Sequence, residues 1–162
     1  MRYLSGEEEK EAKKYLEYTS ELAKSASCER SKCGSIIVAN DVIIGEGINS
    51  PAHNQENQRR CNNNDKDSYH RKVTDKTCCI HAEQRAIMDA LAHNSDKIIG
   101  SRLYFMRLDE EDNLTRAGNP YCTICSKMSL DAGIQEFVLW HENGICVYNT
   151  DEYNLLSYEY KG

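Results

Sequence analysis

The sequence predicts an α/β protein, a three-layer α/β/α sandwich around one mixed, roughly five-stranded sheet. Runs rich in β-branched and aromatic residues, among them Ser35 to Ala39, Val42 to Ile48, Leu103 to Met106 and Ile134 to Trp140, have the length and composition of strands. Between them lie stretches whose apolar residues recur three and four apart, the period of a helix with one buried face. The order helix, strand, strand, helix, strand, helix, strand, strand gives one sheet covered by helices. At 162 residues, 40% hydrophobic and 28% charged, the chain has material for one core and not for two. A single domain over residues 1–162 is therefore expected, with a polar insertion at about 49–77.

Each element has a local reason. Ser5 followed by Glu8 has the form of a capping box, and Ala12, Tyr15, Leu16, Thr19, Leu22, Ala23 and Ala26 make the buried stripe of a first helix. Asn40-Asp41 between two β-branched runs marks a two-residue hairpin turn. From Asn49 to Thr77 apolar periodicity is almost absent, and the stretch is too long for a passive connection. It carries His53, Arg59, Arg60, Cys61, His70, Arg71 and Lys72. A second helix starts at about His81, turns Ala82, Ala86, Ile87, Ala90 and Leu91 inward, and ends near His93-Asn94, where His93 suits the negative helix end. A third runs from about Thr123 to Gly133, a left-handed cap. His141-Glu142-Asn143-Gly144 reads as a turn, so the last two strands should pair antiparallel. Asp151 to Tyr160 is a short helix or an irregular tail, and Cys33 and Cys146 read as core.

Composition narrows the function classes. Twenty Lys and Arg against 26 Asp and Glu give a formal charge of −6, which disfavours a general grip on nucleic-acid phosphates. No window approaches the roughly 18 apolar residues of a membrane helix, and Glu7, Glu8 and Glu9 stand where a signal peptide would be basic and then apolar. The expected address is the cytoplasm, where the eight cysteines are reduced. Reduced cysteines in that number point to metal.

Two short motifs fall at the starts of the second and third helices: His81-Ala82-Glu83 and Pro120-Tyr121-Cys122-Thr123-Ile124-Cys125. They supply one imidazole, two thiolates and a carboxylate. A catalytic zinc site needs three protein ligands and an open fourth position, and soft nitrogen and sulfur donors at adjacent helix starts meet that need. Helix amino termini favour the thiolate form, and an ion so held acidifies a bound water toward neutrality. Glu83, two residues past the imidazole, is placed to take that proton and deliver it to a leaving group.

The pair H-x-E and P-C-x-x-C resembles the signature of the cytidine and deoxycytidylate deaminase superfamily, nearest the deoxycytidylate (dCMP) group. The resemblance runs from the first helix to the final hairpin and implies a cytidine deaminase-like fold. It implies that His81, Cys122 and Cys125 bind zinc, that Glu83 shuttles protons, and that a ring amine is replaced by oxygen with release of ammonia. The chain departs from the signature at Tyr121, inserted between Pro120 and Cys122.

Gly47-Ile48-Asn49-Ser50-Pro51 resembles the segment in which dCMP deaminases contact the sugar, making Asn49 a substrate-binding candidate and equally a turn residue. Ala82 and Tyr121, beside the ligands, are placed against substrate by the same resemblance. Arg59 and Arg60, with Arg71 or Lys72, are candidates for a substrate phosphate. A second, structural zinc, as in some dCMP deaminases, would be held by Cys28, Cys61, Cys78 and His70, with Cys79 and His53 as other candidates. The resemblance implies a free nucleotide as substrate, dCMP to dUMP, and a homo-oligomer. The expected antiparallel final pair cuts the other way, since it resembles deaminases of free nucleosides. A free nucleoside, a purine such as guanine, single-stranded nucleic acid, and a non-enzymatic zinc-stabilised binding module stand as alternatives.

Overall fold

The computed structural model describes residues 1–61, 68–72 and 77–162. The chain runs β1 (Arg2–Tyr3), α1 (Gly6–Ala23), β2 (Lys32–Ala39), β3 (Val42–Ile48), β4 (Ser50–Pro51), β5 (Cys79–Ile80), α2 (Ala82–His93), β6 (Arg102–Leu108), β7 (Leu114–Thr115), α3 (Thr123–Ala132), β8 (Glu136–His141), β9 (Gly144–Asn149) and α4 (Thr150–Glu159). The sheet order is β1-β9-β8-β6-β2-β3, with β7 paired to the end of β6. Among the described residues only β6 and β8 pair parallel in this sheet, so it is mixed as expected. Five long strands make the body of the sheet, and the two-residue strands β1 and β7 raise the count to seven. Two residues carry no period, which is why neither is visible in the sequence.

Alternation along the strands sorts the core into two layers. Ile36, Tyr104, Met106, Val138, Ile145 and Val147 point to one face and pack under Ala12 and Leu16 of α1. Ile37, Leu103, Phe105, Phe137, Leu139, Cys146 and Tyr148 point to the other, beneath Ala86, Ile87 and Ala90 of α2, Met128 and Ala132 of α3 and Tyr153 of α4. The tail is therefore a helix, and Tyr153 stacks on Phe137 with ring centroids 4.0 Å apart.

The turns follow the local chemistry. Asn40 and Asp41 take φ of 49° and 61°, the left-handed pair that a tight hairpin needs. Gly133 caps α3 at φ 81°, while Ile134 N–H reaches back to the Ser129 carbonyl. The last two strands pair antiparallel, Phe137 against Tyr148. Ser5, by contrast, makes no side-chain cap. Glu8 turns instead to Arg2, which donates to both its oxygens at 2.7 Å, and to Arg102, which also binds Glu136. A charge-assisted fork is stronger than a neutral cap, so the capping box does not form.

Those two guanidiniums, Arg2 foremost, hold the Glu8 carboxyl down to about 2, below the ordinary 4.5. A depressed folded pKa means the contribution is complete above about 4.5 and disappears as pH falls through about 2. Glu8→Gln should thus cost about 1 kcal/mol or less at pH 7, since water screens the half-exposed pair. In urea unfolding the difference from wild type should shrink below pH 4.5 and vanish near 2.

Candidate metal centre and active site

Helix α2 is laid against β3 by two glycines and several polar ties. A Cβ at Gly47 would stand 2.1 Å from the Ala82 carbonyl oxygen, and one at Gly45 would stand 2.4 Å from that of Ala86. Glu46 N–H donates to Asp89, Asn94 donates to the Ile44 carbonyl, and Arg85 donates to the Ser50 and Pro51 carbonyls. The short pair β4–β5 leads directly into His81, whose backbone N–H is held by the Gln84 side chain at 3.0 Å. His81 is thereby fixed as the residue before the first turn of α2, and Cys122 takes the same position on α3.

The two helix starts converge. His81 Nδ1 lies 3.2 Å from Cys125 Sγ and 3.4 Å from Cys122 Sγ, and the two sulfurs are 3.0 Å apart. Donors bonded at roughly 2.0–2.3 Å to one tetrahedral ion stand about 3.5 Å from one another, so the three atoms already outline one face of a zinc tetrahedron. The close contact between the two sulfurs lowers the Cys122 pKa to about 4 and pushes Cys125 up. The contact thus favours at Cys122 the thiolate form that a metal ligand must take.

Glu83, in the first turn of α2, is 6% exposed. Burial raises its pKa first, and the Cys122 thiolate adds to the shift. It faces a cavity of about 120 Å³ lined with His81, Ala82, Cys122, Asn49, Tyr121 and Phe105. Ala82 is fully buried, whereas Tyr121, 56% exposed, leans on Tyr160 at 5.7 Å. Cys33 also lines this cavity, with a thiol pushed up to about 12 by burial, so it is a wall of the site and not a core residue. Its half-buried strand end gave no sign of that.

The other candidates divide. Asn49 reaches the cavity, but its amide is engaged: Oδ1 accepts from Cys33 N–H at 2.8 Å and Nδ2 donates to the Ser31 carbonyl at 2.9 Å. It shapes the wall by tying β3 to the start of β2. Arg59 does not reach the cavity, because Glu56, the Ser27 carbonyl and Glu29 hold its guanidinium, and its side chain is 16% exposed. Arg60 lies 4.8 Å over the Tyr69 ring. Neither is offered to a phosphate at this site. Arg71 and Lys72 are exposed on the same loop.

A second group of thiols forms at the root of that loop. Cys28, Cys61 and Cys79 have sulfurs mutually within 4.8 Å. Cys78 Sγ adds itself 3.5 Å from Cys61 and 3.8 Å from Cys79. The Cys79 thiol donates to Cys28 and lowers its pKa to about 5. His70 is not in this group; its exposed ring accepts the Lys72 N–H at 3.2 Å, a turn of its own loop, and Cys79 stands in its place. His53 is exposed on a left-handed backbone and also stays outside. Positions 62–67 and 73–76 of the expected insertion lie outside the described residues.

No helix among the described residues is long and apolar enough to cross a membrane. Among curated protein sequences none matches the chain. In fold the chain is similar to a cytidine deaminase from Burkholderia pseudomallei at 17% identity, TM-score 0.54, covering 85% of this chain and 91% of that one. It is also similar to the dCMP deaminase of the cyanophage S-TIM5, in a crystal structure with dCMP and dUMP, at 25% identity and TM-score 0.51 over 83% of this chain and 82% of that one. The family profile described as the cytidine and deoxycytidylate deaminase zinc-binding region matches residues 9–141, a span that contains both helix starts and all four residues of the centre. The chain belongs to the cytidine and deoxycytidylate deaminase family of zinc-binding enzymes.

Proposed function

We propose that the chain deaminates a free pyrimidine nucleotide by hydrolysis, dCMP to dUMP. The observation that carries the reading is the buried Glu83 carboxylate beside three converging His and Cys donors at the edge of one cavity. When bound, zinc supplies the Lewis acidity that lowers the pKa of water at that open position. His81, Cys122 and Cys125 would hold the ion. Glu83 takes a proton from the attacking water and returns it to the leaving amino nitrogen, as a C–O bond forms at the ring carbon, the C–N bond breaks and ammonia departs. Burial around Glu83 excludes competing solvent and raises its proton affinity above that of an ordinary carboxylate, the direction a proton carrier needs.

The S-TIM5 enzyme with its bound dCMP and dUMP supports the nucleotide choice. The antiparallel β8–β9 pair favours a second reading, a free nucleoside as substrate. Ammonia release by zinc-loaded protein from dCMP, CMP, deoxycytidine, cytidine, guanine and a single-stranded oligonucleotide decides between them. Turnover confined to dCMP or CMP is expected; turnover confined to nucleosides would select the second reading, and none on any substrate would sink both.

The thiol group Cys28, Cys61, Cys78 and Cys79 we assign to a second, structural zinc. Four sulfurs at one locus fit a closed site, and a polar loop that buries little apolar surface needs such a tie to order it. Cys79 is two residues from His81, so the tie also anchors the entry to α2. Two zinc ions per chain are expected by metal analysis, falling to one in Cys61→Ser; one in the wild type would refute the assignment.

A further inference from the structure

Beyond the shared Phe105 and Tyr121 the catalytic cavity adjoins a second one of about 180 Å³, whose walls include Arg107, Arg116, Trp140 and Tyr160. A pocket for a drug-sized ligand starts at about 300 Å³. The cavity at Glu83 alone is well below that; only the two together reach it.

The second cavity carries two arginines with no ionic partner among the described residues. Arg107 follows Phe105 by two positions on β6, so it points to the same sheet face as the metal centre. Among the described residues its side chain makes no hydrogen bond or ion pair, although its charge is felt at both Cys33 and Tyr121. Arg116 lies with its guanidinium carbon 4.0 Å over the Trp140 ring, and its Nη1 is buried with no acceptor. In a chain with 26 acidic residues, two half-buried arginines left unpaired on one cavity are costly unless something anionic joins them. The nearby Asp109 is occupied, accepting the Glu111 and Asn113 N–H groups at 2.9 Å in its own turn.

The mount is rigid. Ala117 N–H donates to the Trp140 carbonyl at 2.9 Å. His141 Nδ1 donates to the Ala117 carbonyl at 2.8 Å, which leaves Nε2 to accept from the Tyr148 hydroxyl at 2.9 Å. Thr115, just before Arg116, is paired across from Arg107 in the β6–β7 ladder. The backbone that carries both arginines is thus held by pairing, and both side chains line one cavity.

We propose that Arg107 and Arg116 form the subsite for the substrate's phosphate, a role the sequence had offered to Arg59 and Arg60. This rests on the nucleotide reading above. Two forked donors suit a group with several anionic oxygens, and the subsite makes phosphate recognition a property of the β6–β7 hairpin.

Calorimetric binding of dUMP and of deoxyuridine to the zinc-loaded protein separates the subsite from the reading it rests on. Wild type should bind dUMP roughly 100-fold tighter than deoxyuridine, and Arg107→Ala or Arg116→Ala should each remove about tenfold of that preference with deoxyuridine affinity unchanged. Arg116→Met keeps the packing on Trp140 without the charge and should behave like Arg116→Ala; zinc content and circular dichroism confirm that each variant is folded. A dUMP preference that survives in the double variant overturns the subsite and leaves the nucleotide reading intact. No preference in the wild type overturns both. An oligonucleotide that binds far tighter than dUMP, through the same arginines, would move the subsite to a backbone phosphate and overturn the mononucleotide assignment.

Discussion

Replacing Glu83 by Gln should leave zinc at His81, Cys122 and Cys125 and lower turnover by about 10²–10⁴-fold, the usual worth of a positioned proton carrier. The amide has the shape of the carboxyl and fits the same buried space, so packing is preserved. What it lacks is the ability to accept a proton from water and give it up again. Because Glu83 is not one of the three converging donors, the metal should be indifferent to the change. Cys125→Ser gives the opposite pattern: a hydroxyl is a poor substitute for a thiolate toward zinc, so metal and activity go together. Metal analysis and steady-state rates on the same preparations check both. Zinc lost from Glu83→Gln would make Glu83 a ligand, and full activity in that variant would leave the proton shuttle without a carrier.

The contrast between these residues and the arginines shows what a sequence discloses. His81, Glu83, Cys122 and Cys125 are legible because their chemistry is local: each sits at or just inside a helix start, and the two short spacings already bring donors together within each motif. The strand and helix layers are legible for the same reason, since period sorts the residues of β2, β6, β8 and β9 between the two covered faces of the sheet. Arg59 looked free because nothing in its spacing reveals that the Ser27 carbonyl, 32 residues away, and Glu56 close around it. Arg107 and Arg116 were invisible for the converse reason. The two-residue strand β7, too short to show a period, pairs Thr115 with Arg107, and Arg116, the next residue, lines the same cavity. Cys79 rather than His70 completes the thiol group because β5 fixes Cys79 against Pro51, a pairing made across a polar loop that carries no apolar signal.

Gly47→Ala should lower turnover by about 100-fold and destabilise the fold by roughly 2–3 kcal/mol, although residue 47 touches neither metal donor nor proton carrier. The new methyl would lie 2.1 Å from the Ala82 carbonyl oxygen, 2.5 Å from Ala86 N and 2.8 Å from Arg85 Cβ. Two of these are backbone atoms of α2, which cannot step aside as a side-chain tip would. The first turn of α2 must therefore lift from β3. That turn carries Glu83 and follows directly on His81, while Cys122 and Cys125 remain on α3, so the movement opens the metal face and carries the carboxylate away from the open position. A displacement of about 1 Å is enough for a 100-fold loss in a positioned reaction. The signature expected in urea unfolding and kinetics is a lowered midpoint together with weakened zinc retention. A Gly47→Ala protein with wild-type zinc affinity and turnover would show that α2 and β3 are not held at this spacing, and that the glycine is not what sets the geometry of the centre.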